Sequence, residues 1–325
     1  MDARAQEWFL TRTSQGTSWC RETLAIEKGS LRIGVVLPAR NESSTVGAIV
    51  ERIRRELVEQ VALIDEIVVV DSGSIDATAQ IAAAAGARVV TQSRVLPHLG
   101  DVPGKGEALW KSLYATRCDV LVFIDADLRE FDAQVVVGLL GPIITNPHIG
   151  FVKAIYDRPL STTDCVLPAG GGRVTELVAR PLLNLYWPEL AGFIQPLVGE
   201  YAARRELLEQ ISFASGYGVE IAMLIDLLEL AGLDAMAQVD MGRRVHRNQS
   251  DEALGRMASQ VILAVLSRLE AHGKAVLVES PATVLTQFHR LDGLYSPSVH
   301  DVSVTERVPM NGIPAYAERL RERER

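Results

Sequence analysis

The stretch 121-LVFIDADLRE-130 decides the fold. Four apolar residues, Leu121 to Ile124, read as a buried strand. Two carboxylates, Asp125 and Asp127, follow at the strand's end. Like charges this close resist burial unless a cation lies between them. A hard divalent ion such as Mg²⁺ or Mn²⁺ prefers oxygen ligands and often shares them with a substrate's phosphates. An Asp-x-Asp triplet arises by chance roughly once in a chain of this length, so its position carries the reading and the triplet alone does not. The bland alternative is an exposed strand end with solvated acids.

Outward from this strand the texture alternates. Upstream, 32-RIGVVLP-38 and 66-EIVVVD-71 read as strands, and Val89 and Val90 suggest a short one. Between them Val46, Ile49, Val50, Ile53 and Leu57 recur at helical spacing. The segment 76-DATAQIAAAAGA-87 is an alanine-rich helix that Gly86 can terminate, and 106-GEALWKSLYAT-116 is another helix. Alternation of this kind predicts an α/β fold with a mostly parallel, doubly wound sheet and helices on both faces. Such sheets bind ligands beyond the carboxyl ends of their strands. Those ends carry Pro38, Ala39, Asn41 and Glu42, then Asp71, Ser72 and Gly73, then Asp125 and Asp127. Residues 1–30 read as an N-terminal extension with a short helix. After residue 150, glycines and prolines interrupt the pattern. Helices are expected over 219–232 and 252–269 and a strand over 233–242, with an irregular tail from 271 to 325.

Composition excludes several classes. A net charge of −8 argues against broad nucleic-acid binding, which needs basic surface. The longest apolar run, 135-VVVGLLGPII-144, is about half a membrane span and is broken by Gly and Pro, so no membrane association is expected. Cys20, Cys118 and Cys165 form neither a zinc pattern nor an even disulfide set, which fits a reducing cytoplasm.

Further motifs are weak singly. In 104-GKGEA-108 a glycine turn opens a helix, whose backbone N–H groups and Lys105 attract anions; a plain flexible turn is the alternative. In 170-GGGRVTE-176, Arg173 can fork onto a phosphate or carboxylate and Thr175 can add a hydrogen bond. His246, within the basic island 243-RRVHR-247, can ligate a borderline metal, although a lone histidine is more often structural. Glu220 begins a long apolar helix, where the helix dipole favours an acid in any case. Jointly they describe a metal-binding pair, phosphate-binding backbone, an anion clamp and one carboxylate. That set suits a diphosphate-bearing donor and an anionic acceptor.

The stretches PARNE (38–42), VVDSGSIDAT (69–78) and DAD (125–127) resemble a GT-A glycosyltransferase. PGKGEALW, GGGRVTELVARPLL, QPLVGEYAARRELL, GYGVEI and HRN are more specific. They resemble the glucosyl-3-phosphoglycerate and actinobacterial mannosyl-3-phosphoglycerate synthases of glycosyltransferase family 81, over about residues 31–270. The resemblance implies a nucleotide-sugar-binding half at 31–150 and an acceptor-binding half at 151–270. It implies retaining transfer of a hexose from a nucleotide diphosphate sugar to the 2-hydroxyl of 3-phosphoglycerate, for compatible-solute synthesis, by a homodimer using Mg²⁺ or Mn²⁺.

By position, Pro38, Ala39, Glu42 and Ser72 would hold base and ribose, and Lys105 the diphosphate. Asp127 and His246 would ligate the metal, with Asp125 near ribose and metal. Gly172, Arg173, Thr175 and Asn248 would hold 3-phosphoglycerate. Glu220 would bind sugar hydroxyls, Leu197 would line the sugar pocket, and Arg244 would reach a phosphate. Asp127, Lys105 and Glu220 are the expected catalytic residues. The departures Arg40, Ala126 and Val198 lie near the donor. The chain looks closest to the mannosyl members, which points to GDP-mannose, with GDP-glucose or UDP-glucose as the alternative donor. A sugar nucleotidylyltransferase, a nucleotide-sugar-binding module and a lipid-phosphate mannosyltransferase are competing readings. Front-face transfer and double displacement through Glu220 both stay open.

Overall fold

The computed structural model describes residues 2–157, 160–161, 166–167, 172–243, 250–291 and 293–323. Eight strands form one sheet: β1 (Thr13–Gln15), β2 (Ile33–Ala39), β3 (Glu66–Asp71), β4 (Arg88–Thr91), β5 (Val120–Phe123), β6 (Phe151–Asp157), β7 (Tyr201–Arg204) and β8 (Met236–Arg243). Their spatial order is β1-β8-β6-β7-β5-β2-β3-β4. Only β7 runs antiparallel, wedged between β5 and β6. The sheet is therefore the mostly parallel one that the alternation predicts.

Strand periodicity divides the core in two. Val36, Val68 and Val70 point to one face, where they meet Trp110 of α5 (Lys105–Ala115) and Leu224 of α8 (Val219–Ala231). Val35, Leu37 and Val69 point to the other, where they meet Ile49 and Val50 of α3 (Val46–Ile53) and Leu139 of α6 (Gln134–Thr145). Both layers are apolar because a parallel sheet is covered on both faces. Among the described residues the other α-helices of seven residues or more are α1 (Ala3–Arg12), α2 (Arg21–Glu27), α4 (Thr78–Ala84), α7 (Arg180–Tyr186), α9 (Asp251–Ala271) and α10 (Pro314–Arg323). No helix among the described residues is long and apolar enough to cross a membrane.

Two segments differ from the sequence expectation. Within residues 1–30, Thr13–Gln15 pairs in parallel with Gln238, Val239 and Asp240 and forms the sheet's edge. The tail is regular: β9 (Val284–Leu291) and β10 (Leu294–Asp301) make a hairpin. Beyond it Glu306 and Arg307 pair with Ala214 and Phe213. The hairpin has two characters. Gln287 donates to the carbonyl of Glu252 on α9, at 3.2 Å. On the opposite face Val284, Phe288, Tyr295 and Val299 are 58–72% exposed.

Candidate functional site

The carboxyl ends of β2, β3 and β5 open into one cleft of about 630 Å³. Pro38, Ala39, Arg40 and Glu42 line it from β2 and its loop, Ser72 from β3, and Asp125, Ala126 and Asp127 from beyond β5. Gly104 and Lys105 close it from the start of α5, and Leu197, Gly199 and Glu220 from the other side.

The loops after β2 and β3 are laced together. Asn41 takes a left-handed conformation at φ 59, its backbone N–H donates to Ser74 Oγ at 2.9 Å, and its side-chain oxygen accepts from the N–H of Ile75 at 2.9 Å. Asparagine tolerates this backbone because its short amide bonds locally. The N–H of Glu42 donates to Thr78 Oγ1 at 2.7 Å. Thr45 Oγ1 donates to the carbonyl of Ala126 at 2.6 Å, tying the DAD segment to the start of α3. Ser72 Oγ donates to Gln92 Oε1 at 2.7 Å, and the Gln92 amide donates to Asp101 at 2.9 Å. Lys111, wholly buried, holds that same Asp101 oxygen at 2.8 Å. The Lys111 and Gln92 hydrogen bonds outweigh partial burial and hold the Asp101 carboxyl below its usual range.

The centre of the cleft is charged. Lys105 Nζ lies 2.5 Å from Asp125 Oδ1 and 3.0 Å from Glu220 Oε1. Burial opposes the ammonium, but the two carboxylates overcome that and hold its pKa well above the usual lysine value. Glycine makes the contact possible: a Cβ on Gly199 would stand 2.3 Å from Lys105 Nζ and 2.4 Å from Asp125 Oδ2. Gly104 has φ 114, open to glycine and rare for other residues, and starts α5 so that its N-terminus faces the cleft. Burial, then the charge of Asp127, raises the Glu42 carboxyl above its ordinary value. Acids crowded in this way suit a hard cation. No group of three His, Cys, Asp or Glu side chains is arranged for a metal among the described residues. Asp127 is the described candidate ligand; His246, its expected partner, lies outside the described residues together with Arg244 and Asn248.

Gly172, Arg173 and Thr175, expected to hold the acceptor, are not among this cleft's lining residues. Gly172 has φ 81, and its carbonyl accepts from the N–H of Glu176 at 3.0 Å, opening the helical turn that buries Thr175. Arg173 pairs with Asp251 in the first turn of α9, and Met257 on the same helix lines the cleft. Helix α9 thus runs from the Arg173 ion pair to the strand-end cleft. Sequence reading missed Gln92, Asp101, Tyr217 and Met257 as lining residues. Tyr217 lies within the GYGVE motif (216–220) but is not singled out there; the others stand in no motif, so no local signal marks them.

Comparison with known proteins identifies the family. The profile of glycosyl transferase family 2 matches residues 34–212. The glucosyl-3-phosphoglycerate synthase of Petrotoga mobilis is 45% identical over 92% of this chain and 92% of its own. The crystal structure of mannosyl-3-phosphoglycerate synthase from Rubrobacter xylanophilus has a TM-score of 0.87 at 41% identity, covering 95% of this chain and 98% of that one. The glucosyl-3-phosphoglycerate synthase of Mycobacterium tuberculosis, in complex with Mn²⁺, UDP-glucose and phosphoglyceric acid, has a TM-score of 0.79 at 45% identity. It covers 90% of this chain and 95% of its own. Fold and similarity over most of both chains agree, and the chain belongs to the glucosyl- and mannosyl-3-phosphoglycerate synthases of glycosyl transferase family 2.

Proposed function

We propose that the chain transfers glucose from UDP-glucose to the 2-hydroxyl of 3-phosphoglycerate, with retention at the anomeric carbon. The observation that carries this is Lys105, clamped by Asp125 and Glu220 at the floor of the strand-end cleft. The named relatives favour glucose: the Petrotoga mobilis protein is a glucosyl enzyme, and the Mycobacterium tuberculosis complex holds UDP-glucose. The mannosyl neighbour from Rubrobacter xylanophilus supports GDP-mannose as the second reading. Rates with UDP-glucose, GDP-glucose and GDP-mannose at fixed 3-phosphoglycerate test the choice. A kcat/KM for GDP-mannose above that for UDP-glucose overturns the glucosyl reading.

Pro38, Ala39, Glu42 and Ser72 form the base and ribose side, and Asp125 the boundary between ribose and diphosphate. Asp127 and His246 would hold a divalent ion, which when bound supplies positive charge to the diphosphate. Lys105 meets the charge that builds on the departing phosphate oxygen. Its two carboxylates keep it protonated and aimed. Leu197 and Glu220 face the hexose. Glu220 is 7% exposed and ion-paired, which suits hydroxyl binding better than nucleophilic attack. The leaving phosphate then takes the acceptor's proton on the same face. Gly172, Arg173, Thr175 and Asn248 grip the acceptor's anionic groups, and Arg244 a phosphate. The apolar outer face of the β9–β10 hairpin supports a homodimer. The unpaired thiols of Cys20 and Cys118 support a cytoplasmic setting.

A further inference from the structure

Beneath the cleft lies a lysine that the reaction scheme does not use. Lys153 sits in the middle of β6, is 1% exposed, and pairs in register with Tyr201 of β7. Its ammonium stands 5.1 Å from the Tyr201 ring centre and 5.8 Å from that of Phe151. It donates to the carbonyl of Val198 at 2.8 Å. Val198 joins Leu197 and Gly199, both of which line the cleft. Gly199 is the residue pressed against Lys105 and Asp125.

We propose that Lys153 is a positioning residue for the donor: from below, its ammonium fixes the Leu197–Gly199 wall against Lys105 and Asp125. The inference rests on the functional reading above and deepens it. Three observations support it. First, the position is inside the sheet, where an apolar side chain of similar length would fit. Replacing a buried charge by such a side chain is often neutral or stabilising, so fold stability alone does not account for a lysine here. Secondly, burial pulls the ammonium down to about 7, with Glu220 opposing and Lys105 reinforcing that fall. A group held against its own solvation is a mark of functional sites more than of cores. Thirdly, Lys153 lies in the field of Glu220 and Asp125, the two carboxylates that also hold Lys105. The wall that Lys153 holds thus borders the charged floor of the cleft, where a diphosphate must settle.

The test is Lys153→Met, assayed beside wild type with UDP-glucose, 3-phosphoglycerate and Mn²⁺. The expected result is a donor kcat/KM lower by about tenfold or more, with the acceptor KM within about twofold. The thermal midpoint without ligands should stay within roughly 3 °C, since the core keeps its volume. Donor kcat/KM within about twofold of wild type overturns the proposal. So does a loss spread equally over donor and acceptor constants. If Lys153→Met does not fold, Lys153→Leu, which likewise has no N–H donor, is read in the same way. Failure of both to fold assigns the residue to the fold and also overturns the proposal. A wild type without turnover defeats the functional reading instead. In that case calorimetric titration with UDP and Mn²⁺ still tests the wall, the variant binding about tenfold more weakly than wild type if the role is right and equally if it is wrong.

Discussion

Lys105 Nζ and Asp125 Oδ1 stand 2.5 Å apart, so the first residue of α5 and the carboxyl end of β5 meet in one charged contact. Neither element alone can build a leaving-group site: the helix brings a cation and an N-terminus, the strand brings an acid that aims them. Lys105→Met removes the charge and keeps most of the volume. The kcat is expected to fall by about 10²–10³, the loss typical of one transition-state hydrogen-bond donor. Single-turnover kinetics at saturating donor check that the chemical step, and not release, is slowed.

Glu220 decides between the two mechanisms. It is 3.0 Å from Lys105 Nζ and nearly buried. As a hydroxyl-binding and lysine-organising group, Glu220→Gln should cost one charged hydrogen bond, about 1.5–3 kcal/mol, or roughly 10- to 100-fold in kcat/KM. As a nucleophile its loss would abolish turnover and azide would restore it with inverted product. The smaller effect, without azide rescue, is the expected outcome.

The proposed acceptor clamp is occupied by the chain's own acid. Arg173 pairs with Asp251, whose side chain is 90% exposed. An incoming carboxylate or phosphate must displace it. Arg173→Ala is expected to raise the 3-phosphoglycerate KM by roughly 30- to 1000-fold, about 2–4 kcal/mol, with the donor KM little changed. Asp251→Asn should act oppositely and lower the acceptor KM by about two- to fivefold, because an exposed pair is worth no more than about 1 kcal/mol. Initial rates over an acceptor series measure both.

The sheet and its ligand edge were legible because local signals coincided. Val35, Val36, Val68 and Val69 stand in apolar runs too short for helices, and each run ends in polar or small residues that reach the cleft. Where pairing is decided by tertiary context, sequence failed. Thr13, Ser14 and Gln15 are polar and lack any period, yet they form an edge strand because β8 offers an open side. Gln92 and Asp101 lie in loops without a motif, and only the fold brings them to Ser72. The strand over 151-FVKAIYD-157 is not anticipated from sequence; it forms because β7 and β8 pair with it on both sides, and its Lys153 is buried. In the tail, apolar residues alternate on a hairpin, but the outward face carries the apolar half, which no intrachain pattern anticipates.

Glu42 gives the donor site a pH dependence. Burial and the charge of Asp127 raise its pKa above 4.5, so its carboxylate is lost at a higher pH than an ordinary glutamate's. If the ionised form holds the ribose, donor affinity falls as pH drops through that raised value, and Glu42→Gln flattens this limb. Stability runs the other way. The folded carboxyl keeps a proton that the unfolded one has released, so the ligand-free fold loses this contribution as pH rises from 4.5 through the folded value. Mn²⁺ should oppose that loss by neutralising Asp127. Calorimetric UDP binding and melting curves between about pH 4.5 and 7, with and without Mn²⁺, measure both signs.

The hairpin tests assembly independently of catalysis. Phe288 and Pro297 are cross-strand partners, as are Arg290 and Tyr295, so Phe288 and Tyr295 share one face of the β9–β10 ribbon. They are 67% and 72% exposed, beside Val284 and Val299. An isolated two-stranded ribbon is marginal in water. This one is held on its polar side by α9 and presents its apolar side outward. Contiguous apolar surface of that kind marks an interaction site, and a second copy is the partner the homodimer reading requires. On that reading wild type sediments as a dimer and Phe288→Ser with Tyr295→Ser as a monomer, with the melting point of each protomer little changed because neither side chain is buried within it. A wild type that sediments as a monomer at micromolar concentration defeats the homodimer reading and leaves the catalytic assignments untouched.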